Sequence, residues 1–494
     1  MKISLFIKNT VILSAYGVIL RLIGMVFRVV LVNRIGAECT GLYQLIFSVY
    51  MLLTGAVNAG MSMAVTRAVS EISVRGSKYD VKKVLRRAVT MATGVSAVIA
   101  VCTFLMSYDI ALLIGDIRAQ SAIKILVFSL PMMSVSACYK GYFSAVENTI
   151  APSNTQLIEQ IVRIAVVGAL LVNFANLDIG ATCAVILLGD CVAEAVSCAM
   201  IYILYRRNLK KMQFSDTPVK LKVGLLRVAF PVGFNRLSTS ILRTVENLLI
   251  PNTLGAYYMS KSVALAQFGI IRGMALPILL FPSSILGSVS SLLVPELTRA
   301  CAQKNILKIK ICVERVVKIT LCFSVIAAFA FHLCADELGA IIYNSSEVTK
   351  VITLLSAIVP MMYLDLLCDG ILKGLDCQLY SMICSIADSV LRIVLILLIV
   401  PKYGIYGFIG IMIFSNIFTC VLSMIKLWSV AHPKIEFFDC IIVPMLVGGL
   451  IWISGNVISS FTDDNVFALA IKLAVTAIFG GIYMKKRIIC GVLC

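Results

Sequence analysis

Apolar runs of about twenty residues, each long enough to cross a bilayer as a helix, follow one another along the whole chain. By that length criterion about fourteen such runs begin near residues 9, 41, 88, 121, 154, 180, 224, 262, 312, 350, 381, 405, 438 and 466. The pattern predicts an all-α polytopic membrane protein. No small-residue cleavage site follows the first run, and a second run succeeds it at once. It therefore reads as a retained span and not as a signal peptide.

The pattern also repeats. Pro131-Met132-Met133, Gly141, Glu147, Glu159, Arg163 and Ile164 return as Pro360-Met361-Met362, Gly370, Asp376, Asp388, Arg392 and Ile393, each pair 229 positions apart. Weaker echoes join Asn33-Arg34-Ile35-Gly36-Ala37 to Asn252-Thr253-Leu254-Gly255-Ala256, and Val65-Thr66-Arg67-Ala68 to Leu297-Thr298-Arg299-Ala300. The chain reads as a tandem duplication of six spans. An even number of spans per copy makes the repeats parallel, with a substrate site expected at their seam. The expected organisation is an N-lobe over 1–206, a basic linker over 207–222, a C-lobe over 223–432, and a final helix pair over 433–494 that belongs to neither copy.

Composition agrees with a membrane protein. Of 494 residues 60% are hydrophobic and 14% charged, with a mean hydropathy of +1.00, too little polar surface for a soluble chain of this length. The net charge of +18 is concentrated in alternate loops, for example Lys82, Lys83, Arg86 and Arg87, then Arg206, Arg207, Lys210 and Lys211. The intervening loops are short, neutral or acidic, with Asp109, Asp116, Asp336 and Glu337. The positive-inside rule puts the basic loops and both termini in the cytoplasm. The basic balance thus reports topology and contact with anionic lipids, and no nucleic-acid partner is expected. The 17 cysteines show no CxxC pair and only two histidines exist, so no metal site is expected. Without a Walker-type loop or a Gly-x-Ser-x-Gly elbow, neither ATP nor another cofactor is predicted, and an enzyme is not expected.

Chemistry is therefore sought among charges at membrane depth, each of which costs several kcal/mol unless it faces a polar cavity or a partner. Arg21 and Arg28 lie seven residues apart on one side of the first span and outnumber its acids. They are the leading candidates for an anionic ligand, ahead of neutralisation by a neighbouring helix. Arg236, Arg243 and Arg272 are further candidates for substrate binding, although Glu246 stands three residues from Arg243. Glu159 with Arg163, and Asp388 with Arg392, are spaced i and i+4. For these pairs structural salt bridges and a coupling role weigh equally. Asp190 and Glu194 are candidates for proton or cation coupling or for arginine partners, and Asp365 and Asp369 for proton or cation coupling. Lys140 and Lys373 read as snorkelling lysines. Pro277 and Pro282, with Gly273 and Gly287, mark the eighth span as a broken helix.

Several of these residues resemble a known family. Arg21-Leu22-Ile23-Gly24 through Arg28, Gly41-Leu42-Tyr43, Gly273-Met274-Ala275-Leu276-Pro277 with Phe281-Pro282, and Val294-Pro295-Glu296 are similar to the stage V sporulation protein B-like group. That group lies within the multidrug/oligosaccharidyl-lipid/polysaccharide (MOP) exporter superfamily, which also holds the lipid II flippases. The resemblance implies an alternating-access flippase of the bacterial plasma membrane. Its expected cargo is a polyprenyl-pyrophosphate-linked glycan such as a peptidoglycan precursor, and cell-wall synthesis proteins are expected partners. Arg21 and Gly24 match the family's Arg-x-x-Gly motif. Arg28 stands in for the second arginine with one residue more between, and Arg272 falls near another basic family position. The rival readings are a multidrug or organic-cation exporter of the same fold, whose cavity should favour acids and aromatics, and a membrane glycan polymerase or scaffold.

Overall fold

The computed structural model describes residues 2–58, 60–75, 78–148, 150–173, 177–211, 225–433, 436, 438–461 and 464–493. Among the described residues the regular structure is helical throughout. Nine helices among the described residues are each long and apolar enough to cross a membrane, and a bent pair, Ser346–Ser356 with Val359–Gly374, is a tenth if counted as one span. The chain divides into two compact units, one of residues 1–27 and 38–252, the other of 28–37 and 253–494.

The first unit contains most of α1 (Lys2–Asn58), α2 (Met61–Arg75), α3 (Lys78–Leu105), α4 (Ser129–Ala145), α5 (Ile150–Asn173) and α6 (Ile179–Lys211). It also takes α7 (Leu225–Tyr258) as far as Asn252. Gly36 breaks α1 with φ 78° and ψ 173°, a conformation that glycine reaches without the Cβ clash other residues suffer. Two apolar segments can therefore adjoin with almost no loop. One core of this unit gathers Val65, Ile72, Leu85, Tyr142, Phe143 and Ile201 from α2, α3, α4 and α6. The outer face of α3, by contrast, leaves Val98 63% and Leu105 75% exposed, as a lipid-facing surface requires.

The second unit is built on α8 (Ser283–Ala302), α9 (Ile306–Leu333), α10 (Val359–Gly374) and α11 (Gln378–Ala431). Their core includes Leu297, Val317, Leu367, Ile371 and Leu427. Gly404, at φ 57° and ψ −138°, breaks α11 as Gly36 breaks α1. A Cβ at Gly404 would come 2.5 Å from Cε1 of Tyr257. Where a broken helix is expected, the eighth span instead runs as one helical span, Lys261–Leu280, with a π-helical turn at Ile270–Ala275, and ends in a turn through Phe281 and Pro282.

The internal repeat has a counterpart in each unit. In the first, Thr66 Oγ1 of α2 donates to the Gly141 carbonyl of α4 at 3.0 Å. In the second, Thr298 Oγ1 of α8 donates to the Gly374 carbonyl of α10 at 3.2 Å. Gly141 and Gly370 each permit a close helix approach, to Ser62 and to Ser290 respectively.

The final pair, α12 (Val443–Ser459) and α13 (Asn465–Leu493), packs on α9. Gly448 admits Phe329 and Gly455 admits Leu333. Lys472 of α13 is 5% exposed and pairs with Glu337, 6% exposed, at 2.5 Å. Its ammonium also donates to the Leu333 carbonyl at 3.0 Å. Glu337, read above as a loop acid, is thus a buried anchor. The matching cation, Lys472, was not singled out in the sequence.

Two outcomes follow. Gly141→Ala places a Cβ 2.5 Å from the Ser62 backbone oxygen, which cannot rotate away, whereas at Gly370 the obstacle is the mobile Ser290 hydroxyl. Thermal unfolding in detergent should show Gly141→Ala costing about 1–3 kcal/mol and more than Gly370→Ala; equal effects would contradict this packing. Lys472→Met leaves Glu337 buried and unpaired and should cost about 3–5 kcal/mol, much of it restored in Lys472→Met/Glu337→Gln. A double variant no more stable than the single would remove the pair as the anchor.

Candidate functional site

In the first unit the charged residues of the spans converge on α5. Helical spacing puts Glu159, Gln160 and Arg163 within a turn of one another. Arg163 Nη2 meets Glu159 Oε1 at 3.0 Å, and Nη1 donates to Gln160 Oε1 at 3.0 Å. Its Nε lies 2.7 Å from Asp190 Oδ1 on α6. One guanidinium therefore collects three side-chain oxygens from two helices, at side-chain exposures of 29% for Arg163, 16% for Glu159 and 12% for Asp190. The predicted intrahelical pair is closed, and Asp190 is an arginine partner.

Glu194 continues the row one turn along α6. It is buried, lies beside Ser136 of α4, and among the described residues its Oε1 has no hydrogen-bond partner. A buried carboxylate with an oxygen to spare has the chemistry to hold a proton or a small cation. Lys140, half-buried on α4, is near enough to contribute a favourable charge.

The first helix reaches this cluster through glycine. A Cβ at Gly24 would lie 3.7 Å from Gln160 Nε2, an ordinary contact, so α1 runs close to the Arg163 network. Arg21, one turn before Gly24, is exposed. Arg243 on α7 is also exposed, and Glu246 is buried. The Arg236 side chain lies outside the described residues. Near the end of this unit, Arg118 pairs with Asp116 at 2.7 Å and with Glu38 at 2.9 Å, tying the loop to α1.

In the second unit Arg28 is half-buried close to Tyr343. Burial pushes the Tyr343 phenol up to about 12, and the Arg28 charge pulls it the other way. Arg272 sits half-buried on the π-helical turn, an irregularity that recurs at functional sites. Asp388 is buried on α11, 3.2 Å from Arg392 Nε, and accepts from Ser415 Oγ at 2.5 Å. Asp365 accepts from Ser423 Oγ at 3.0 Å. Asp369 is held by Lys373 at 2.5 Å and by Ser381, so Lys373 pairs with a carboxylate where a snorkelling role was expected. Among the described residues no group of His, Cys, Asp and Glu is arranged to hold a metal ion.

Sequence spacing found the i, i+4 pairs but not Gln160, Ser415 or Ser423. Gln160 had a local signal, three residues before Arg163. The serines of α11 had none, because their approach to Asp388 and Asp365 depends on the helix break at Gly404.

Comparison with known proteins gives the same architecture. Stage V sporulation protein B of Bacillus subtilis (strain 168) is 26% identical over 412 residues, spanning 81% of this chain and 79% of that protein. A solved structure of the lipid II flippase MurJ, in an inward closed conformation, superposes with a TM-score of 0.74 at 16% identity, covering 97% of this chain and all of that one. An inward-facing multidrug resistance MATE family transporter of the MOP superfamily gives 0.66 at 12% identity, covering 85% of this chain and all of its own. The fold is thus shared with these multi-pass membrane proteins. The polysaccharide biosynthesis protein family matches residues 6–301, more than half of the sequence, and the chain belongs to that family.

Proposed function

We propose that this protein is a flippase for a lipid-linked glycan precursor in the bacterial plasma membrane, working by alternating access and with both termini in the cytoplasm. The observation that carries the reading is the first helix, where Arg21 is exposed within an apolar span and the same helix passes close to the Arg163 network at Gly24. It stands in a chain of the polysaccharide biosynthesis family whose fold matches a lipid II flippase along nearly its whole length. The lobes over 1–206 and 223–432, joined by the 207–222 linker, are the bodies proposed to rock.

A polyprenyl-pyrophosphate glycan has a headgroup too polar for hydrocarbon and a tail that can stay in lipid. Guanidinium groups suit such a headgroup because they form charge-assisted, often bidentate hydrogen bonds with phosphate oxygens and remain charged throughout the cycle. Arg21 and Arg28 are assigned to the pyrophosphate, with Arg236, Arg243 and Arg272 as supporting cations. Glu159–Arg163 and Asp388–Arg392 are assigned to holding each lobe together. Glu194, with Asp190 beside it, is the proposed site of proton or cation coupling in the first lobe. Asp365 has a comparable place in the second, while Asp369 is occupied by Lys373 and Ser381.

The test is rescue of bacteria depleted of their lipid II flippase, at matched membrane expression. Wild type should restore growth, Arg21→Ala should fail, and Arg21→Lys should recover part of it because charge is kept without the bidentate fork. Glu194→Gln should keep the folded protein but lose rescue. Growth with Arg21→Ala would remove Arg21 from the mechanism. Failure of stably inserted wild type would set peptidoglycan precursors aside in favour of another cargo.

A further inference from the structure

The basic residues that mark one end of the first unit are not simply solvated. Lys82, Lys83, Arg86 and Arg87 on the first turns of α3, with Arg206 and Lys210 on the last turns of α6, line a single groove of about 1140 Å³. All six are exposed. The described lining contains no carboxylate, so their charge is not neutralised within the groove.

The floor differs from the rim. Tyr139, Tyr205 and Leu209 lie beneath the cations and are buried. The Tyr139 and Tyr205 rings stand 5.0 Å apart, and Tyr142 meets Tyr205 edge-on at 4.9 Å. Tyr142 donates to Asn208 Oδ1 at 2.9 Å, which fixes this aromatic wall to α6. Arg206 lies over the Tyr202 ring, 5.9 Å from guanidinium carbon to centroid. Tyrosine is at home where hydrocarbon gives way to headgroups, with its ring in the apolar layer and its hydroxyl in the wet one.

We propose that this groove binds the phosphate-bearing headgroup of an anionic phospholipid, separately from the arginines assigned to cargo. The rim is exposed, built of single positive charges and spread over two helices, which suits a phosphodiester arriving laterally at the membrane surface. The ring floor suits the glycerol and upper acyl region beneath it. Each lysine or arginine near such a surface adds to the attraction, so six around a lining that holds no carboxylate give a selective site. Bound lipid would link the starts and ends of α3, α4 and α6 at their common basic end.

The experiment uses the full-length protein in neutral detergent, with tail-labelled phosphatidylglycerol and, as control, phosphatidylcholine carrying the same label, read by fluorescence anisotropy. Phosphatidylglycerol should bind roughly tenfold or more tightly, and raising sodium chloride should erase the difference. Arg86→Gln/Arg206→Gln should lose the preference. Lys304→Gln/Lys308→Gln, equally exposed but in the second unit, should keep it. Millimolar inorganic phosphate should not displace the lipid. Equal binding of the two lipids, a preference retained by Arg86→Gln/Arg206→Gln, or displacement by free phosphate would each overturn the proposal. Because both exchanged arginines are exposed and neither is assigned to cargo, flippase rescue can fail or succeed independently of this result.

Discussion

A charge inside a membrane helix has to be met by oxygen or opposite charge, because hydrocarbon offers neither. That requirement organises both units. In the first, Arg163 draws Glu159, Gln160 and Asp190 together and so ties α5 to α6. In the second, Asp388 draws Arg392 and Ser415, folding the two parts of α11 against each other. The final helix pair obeys the same rule through Lys472 and Glu337. A salt bridge in water would contribute little to any of these contacts. In a low-dielectric interior, removing one partner strands the other, so the pairs fix which helices adjoin.

Among the cations of the spans, Arg21 and Arg243 are exposed, and Arg163 and Arg392 pair with carboxylates. A guanidinium exposed within an apolar segment suits an anionic ligand, and α1 passes close to the network of α5 at Gly24.

Much of this was legible in the sequence because membrane helices have a coarse grammar. Length and hydropathy locate the spans, and the spacing of four residues locates Glu159–Arg163 and Asp388–Arg392. Glycine and proline mark the eighth span as irregular, and there it carries a π-helical turn, not a break. The repeat was visible in Pro131-Met132-Met133 and Pro360-Met361-Met362, and each of the echoed Thr66 and Thr298 donates to a helix carbonyl, of Gly141 and, one turn past its repeat counterpart Gly370, of Gly374. What spacing could not supply was any contact made across helices. Asp190 finding Arg163, Ser415 finding Asp388 and Lys472 finding Glu337 depend on packing between segments tens to more than a hundred positions apart. Lys472 did carry a signal, as a lone lysine in an apolar final span, but Glu337 resembled an ordinary loop acid.

The central claim is that this chain moves a pyrophosphate-linked glycolipid from one leaflet to the other. Purified protein in proteoliposomes, loaded with lipid II fluorescently tagged on its headgroup, tests it with no cellular background. A membrane-impermeant quencher reads how much label faces outward. Starting from label confined to the inner leaflet, the account predicts protein-dependent appearance in the outer leaflet, with no such movement for a tagged zwitterionic phospholipid. Equal movement of both lipids, or none of lipid II from correctly folded protein, would contradict it.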